Sequence, residues 1–200
     1  MKTEKLNLRF GLITLMIALA ALSRLLPHPP NFTPIGGMAL FGAACYTKRR
    51  WAFIIPIAAM WLSDLVLNNV VYAQYYDHFV WLHRGALFTY GAFALIAVLG
   101  MLALKKVRVT RWAASTLGAS YLFFLVSNFG VWCSGAMYPK TFGGLVACYT
   151  AGIPFLQNTI AGDVIYSGIL FGVFALCAKR FPRLRFQQPV LATQETGGEI

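Results

Sequence analysis

An all-α integral membrane protein is the fold class this sequence predicts. Three observations point to it: overall apolarity, apolar blocks of membrane-spanning length, and positive charges that alternate along the chain. The 200 residues are 58% hydrophobic and only 12% charged, with a mean hydropathy of +0.65. A soluble domain of this size needs a more polar surface. Six apolar segments stand out, at 9–26, 34–47, 51–72, 85–104, 111–133 and 155–178, and most are long enough to cross a bilayer.

The Lys and Arg residues set the topology. Lys2, Lys5 and Arg9 lie at the start of the first segment, and Lys48, Arg49 and Arg50 follow the second. Lys105, Lys106, Arg108 and Arg111 follow the fourth, and Lys179, Arg180, Arg183 and Arg185 follow the sixth. Those alternate ends hold 14 of the 17 basic residues, leaving only Arg24, Arg84 and Lys140 on the other side. Positive residues favour cytoplasmic loops, so six spans with both termini in the cytoplasm are predicted. The net charge of +11 is then a topology signal and not a nucleic-acid footprint. The opening "MKTEKLNLRFGLITLMIALAAL" has the basic start and apolar centre of a signal peptide. It is read as a retained first span, because its removal leaves the topology one helix short. Residues 1–185 form one transmembrane domain, and the polar tail at 186–200 is expected to be disordered.

The second segment is short. Fourteen helical residues cover about 21 Å against a hydrocarbon core of about 30 Å. The preceding "PHPPNFTP" cannot be helical throughout, because proline lacks a donor and restricts the residue before it. Irregular backbone at membrane depth is tolerated only against protein or a wet cavity, so this stretch is expected to line an outward-facing cavity. After the fifth span, "LVACYTAGIPF" is expected to be an interfacial or re-entrant piece broken from the sixth helix by Pro154. The outer "YAQYYDHFVWLH" is aromatic-rich, and Tyr72, Tyr75, Tyr76 and Trp81 suit an interfacial belt.

Two carboxylates interrupt spans: Asp64 in the third and Asp163 in the sixth. On this topology both lie in the outer half of the bilayer, about 10 Å below its edge at 1.5 Å per residue. Intramembrane ionisable groups are costly and mark either a functional site or a structural pairing. Two at matched depth beneath irregular outer segments point to a binding cavity. The inner half of the same spans is almost purely apolar, which argues against a channel. The four cysteines form no CxxC pair, and the histidines, His28, His78 and His83, all lie on the outer side. His78 and His83 with Asp77 are a weak metal pattern, and belt or loop histidines are preferred. Neither a phosphate-binding glycine loop nor a nucleophile–base constellation is present, so no enzyme, cofactor or metal is assigned. The candidate solute contacts are His28, Asn31, Phe32 and Thr33 from the first loop. Asp64, Asn68, Asn128, Trp132, Asn158 and Asp163 come from the helices, with Arg84, Tyr138 and Lys140 at the rim. The carboxylates suit a cationic or hydroxyl-rich ligand, and the aromatics a planar ring.

The segments "RLLPHPPNFTPIGGMALFGAACY", "AMWLSDLVL" and "NFGVWCSGAMYPKTFGGLVACYTAGIPFLQNTIAGDVIYSGILFG" resemble an uncharacterised bacterial membrane family classed with transport proteins. The resemblance covers most of residues 20–175. More distantly, the layout is similar to the substrate-binding S components of energy-coupling-factor vitamin transporters. It implies a six-helix subunit that binds a small vitamin-like solute near the outer face. It also implies docking on a transmembrane coupling protein driven by two ATPases. Ala18, Ala20 and Ala21 supply small residues on the first helix, but without the AxxxA spacing such docking favours. The alternatives are a solitary proton-coupled carrier and a non-transporting scaffold subunit.

Overall fold

The computed structural model describes residues 8–184. Lys2, Lys5, Arg185 and the tail expected at 186–200 lie outside the described residues. The described chain is all-helical, with α1 Leu8–Ser23, α2 Ile35–Cys45, α3 Arg49–Val66, α4 Ala86–Ala103, α5 Val109–Ser134 and α6 Phe142–Arg180. A π-helical turn, Leu67–Val71, extends α3. Four stretches are long and apolar enough to cross a membrane: Arg49–Val71, α4, α5 and α6. The helices α1 and α2 are apolar but shorter. Large apolar side chains cover the outside, among them Leu19, Leu62, Leu87, Leu102, Ile169 and Leu176, each more than half exposed. Such a surface suits lipid contact rather than water.

The short helix α2 is the centre of the bundle. It is apolar on every side, the pattern of a buried helix, and it touches α1, α3, α4, α5 and α6. Met38, Ala39, Leu40 and Phe41 are completely buried. Phe41 meets Phe171 and Phe174 edge-on, with ring centroids 5.4 and 5.6 Å apart. In lipid, burial of this kind stabilises through close packing, since the tails outside are as apolar as the core.

A buried helix of 11 residues must still satisfy its terminal backbone groups. At the N-terminus, Pro34 has no N–H and supplies no side-chain cap. The Asp163 carboxylate fills the gap, accepting from the backbone N–H groups of Gly36 and Gly37. At the C-terminus, Arg9 Nη2 donates to the Cys45 carbonyl at 2.7 Å. A carboxyl group therefore sits at the positive end of the α2 dipole and a guanidinium at the negative end.

The sixth helix corrects the expectation at Pro154. It runs unbroken through Pro154 for 39 residues, so "LVACYTAGIPF" is its first turns and not a separate re-entrant piece. One proline removes one donor, and packing on α5 holds both sides of it in line. Cys148 Sγ donates to the Asn128 carbonyl at 3.4 Å, and Tyr149 Oη donates to the Leu125 carbonyl at 2.7 Å. On the far side of Pro154, Ser120 Oγ donates to Asp163 Oδ2 at 2.7 Å.

Candidate functional site

Asp64 is the hub of a buried polar cluster where α1, α3 and α4 meet. Arg24, just past the end of α1, donates from Nη2 to Asp64 Oδ1 at 2.6 Å. Its Nη1 donates to Ser63 Oγ at 2.5 Å and to the Met60 carbonyl at 3.2 Å. Tyr90 Oη of α4 donates to Asp64 Oδ2 at 2.7 Å. Arg24 is 9% exposed and Asp64 6%, so the pair is held in a poorly solvated setting where each charge needs the other.

His83 roofs the cluster from the loop before α4, with Nδ1 at 3.9 Å from Asp64 Oδ2. Burial pushes its imidazole below the ordinary value, and Asp64 opposes that without overcoming it. A neutral ring follows at neutral pH, so the 3.9 Å approach is a near contact and not an ion pair. Nε2 lies 3.3 Å from Thr89 Oγ1.

Asp163 belongs to a separate network. It is 1% exposed, and its carboxylate is held by Gly36, Gly37 and Ser120. Its hydrogen-bond partners lie on α2 and α5, whereas those of Asp64 lie at the end of α1 and on α4. The proline loop lies on the same face of α6. Asn158 Nδ2 donates to the Pro30 carbonyl at 2.9 Å, and the Phe32 and Tyr166 rings are 5.8 Å apart. Gly162 lets the loop seat closely, since a Cβ there would lie 2.9 Å from the Thr33 nitrogen. Asn31 has φ 61°, a left-handed conformation that asparagine tolerates, and this turns the chain toward α2. His28 is half-buried and bonds the Pro29 carbonyl at 2.9 Å.

Asn128, Trp132, Tyr138 and Lys140 gather at the α5–α6 turn. Asn128 Nδ2 donates to the Phe124 carbonyl at 2.8 Å, and Trp132 Nε1 to the Pro139 carbonyl at 2.9 Å. Lys140 Nζ bonds the Trp132 and Gly135 carbonyls and lies 5.6 Å from the Trp132 ring centroid. The Asn128 bond stays within α5, and the Trp132 and Lys140 bonds close the turn. Tyr138 is half-buried there. Arg84 is exposed beside His83.

Asn68 lies four residues past Asp64, within the π-helical turn. It lines a pocket of about 290 Å³ with Asn69, Ala73, Tyr76, Asp77, His78 and Phe79. Sequence reasoning singled out Asn68 and placed Arg24 at the same end as Asp64 with an Asp–Arg pair as one reading, but missed Ser63, Tyr90 and His83 as members of the Asp64 cluster. It also missed Gly36 and Gly37 as the donors to Asp163. The one readable signal was the adjacent glycine pair following a proline loop.

Searches of curated proteins and of solved structures each returned no match. A model of a family of unknown function, DUF6580, matches residues 4–184. With nearly the whole helical bundle inside that match, the chain belongs to the DUF6580 family.

Proposed function

We propose that this chain is a solute-binding protein of a bacterial cytoplasmic membrane that serves uptake of a small vitamin-like solute. In this reading all six helices cross or enter the bilayer and both termini are cytoplasmic. The end carrying Arg24, the 67–85 segment and the α5–α6 turn faces outward. The observation that supports it best is the Arg24–Asp64 pair, 2.6 Å apart and under a tenth exposed, roofed by His83, with the Asn68 pocket one helical turn further along the same helix. Ionisable groups inside a membrane are costly and are kept by default for function. A cationic or hydroxyl-rich solute entering from the pocket would compete with Arg24 and Tyr90 for the Asp64 oxygens. A membrane coupling protein with two ATPases would be the energy source.

Native mass spectrometry of protein purified gently from its own membranes tests this reading. A small molecule that copurifies with the native chain and is lost from Asp64→Asn is the expected result. An empty native chain argues against it.

A second reading is supported by the partly exposed His83 ring 3.9 Å from the buried Asp64 Oδ2, two titratable groups side by side. A solitary proton-coupled carrier predicts uptake that collapses with a protonophore and survives ATP depletion.

A further inference from the structure

We propose that the π-helical turn and the loop after it recognise a small polar organic cation, through the Asn68 amide and the Asp77 carboxylate. This deepens the solute-binding reading by naming the ligand's chemistry, and it rests on that reading for the side from which the ligand arrives.

The turn Leu67–Val71 is the one place where α3 departs from α-helical geometry, with Tyr72 N–H donating to the Leu67 carbonyl at 2.7 Å. Such turns recur at functional sites because the widened backbone re-aims a side chain. Here the two adjacent asparagines have different tasks. Asn69 is fully committed: its Nδ2 donates to the Leu65 and Val80 carbonyls at 2.9 Å each, and its Oδ1 accepts from Val80 N–H at 2.7 Å. It clips the 72–80 loop onto the helix and so builds the pocket.

Asn68 makes no side-chain hydrogen bond among the described residues, although it is only 9% exposed and lines the pocket. Its amide atoms are not sealed from solvent, so they stay free to bond a ligand in the pocket. The pocket supplies what a ligand would meet. Asp77 is its carboxylate, His78 adds a ring nitrogen, and Tyr76 and Phe79 form aromatic walls. No Lys or Arg lines it. At about 290 Å³ it lies near the low end for small-molecule sites. The carboxylate and aromatic walls suit an ammonium group. The amide, with one donor group and one acceptor, suits a hydroxyl or carbonyl beside it.

The test uses the full chain in detergent micelles and two probes of matched size and opposite charge, ethanolamine and glycolate. Ethanolamine is expected to raise the unfolding midpoint saturably while glycolate does not. Asp77→Asn, on an exposed loop where folding is not at stake, is expected to weaken the ethanolamine response about tenfold or more, and Asn68→Ala to abolish it. No saturable response to ethanolamine, an equal response to glycolate, or an unchanged response in Asp77→Asn overturns the proposal. Uptake and native mass spectrometry on the same variants separate it from the broader reading. A copurifying metabolite in a chain blind to ethanolamine overturns this site alone. Asp77-dependent ethanolamine binding in a chain that supports no uptake overturns the transport reading and leaves this site standing.

Discussion

Asp163 is packed so closely on Gly36 that a Cβ at residue 36 would lie 2.6 Å from the Asp163 carboxyl carbon. No side chain fits between them, and the carboxylate reaches the backbone donors of α2 directly. The central helix of the bundle is therefore capped by a residue 127 positions further along the chain. Asp163→Ala leaves two buried N–H groups and Ser120 without their acceptor. A loss of roughly 1–3 kcal/mol for each unsatisfied group is expected, read as a fall in the thermal unfolding midpoint in detergent. Asp163→Asn keeps one acceptor oxygen and should lose clearly less. Equal losses for both variants would contradict a capping role.

Gly36→Ala is a complementary test from the other partner. The added methyl must displace the Asp163 carboxylate or shift α2, so destabilisation comparable to Asp163→Ala is expected in the same measurement. Because the two changes break one contact, the double variant should lose much less than their sum.

The Arg24–Asp64 pair behaves as a buried ion pair should. Arg24→Met or Asp64→Leu alone strands a buried charge and is expected to cost about 3–5 kcal/mol. Replacing both together removes the stranded charge, and the double variant should be more stable than either single one. A double-mutant cycle on unfolding midpoints reads the coupling directly.

His83 gives the cluster a pH dependence whose sign is fixed by its lowered pKa. The unfolded chain takes up the proton first, near pH 6.5. Stability associated with the neutral ring is present above that pH and lost as pH falls through the lower folded value. The expected slope below about pH 6.5 should flatten in His83→Asn. A slope unchanged by that substitution would show that another group titrates.

Asn69 and Asn68 are neighbours with opposite expectations. Removing the three hydrogen bonds of Asn69 in Asn69→Ala should release the 72–80 loop and speed limited proteolysis there. Asn68→Ala should leave the loop as resistant as in the native chain, because Asn68 holds none of it.

The helix count was legible because each helix carries its own apolar run, and basic clusters mark three of the turns or ends. The start of α6 was not. Pro154 is a local breaker, and what overrides it is packing of Cys148, Tyr149 and Gly152 on α5, which no local window contains. The buried carboxylates were legible as unusual groups and Arg24 as a cation at the same end, but Tyr90 and Gly36 come from other helices at large sequence separation. Asn68 and Asn69 are indistinguishable in "LNNVV", and only the π-helical turn separates a structural amide from an open one.

The central claim is that the end bearing Asp64 and the Asn68 pocket faces outward. Labelling by a membrane-impermeant maleimide in intact cells tests it most directly. The native Cys133 is exposed beside the α5–α6 turn, and Thr47 is exposed at the basic end. In chains otherwise free of cysteine, Cys133 should label without permeabilisation, and Thr47→Cys only after it. The reverse pattern would put the pocket inside the cell and contradict the uptake reading.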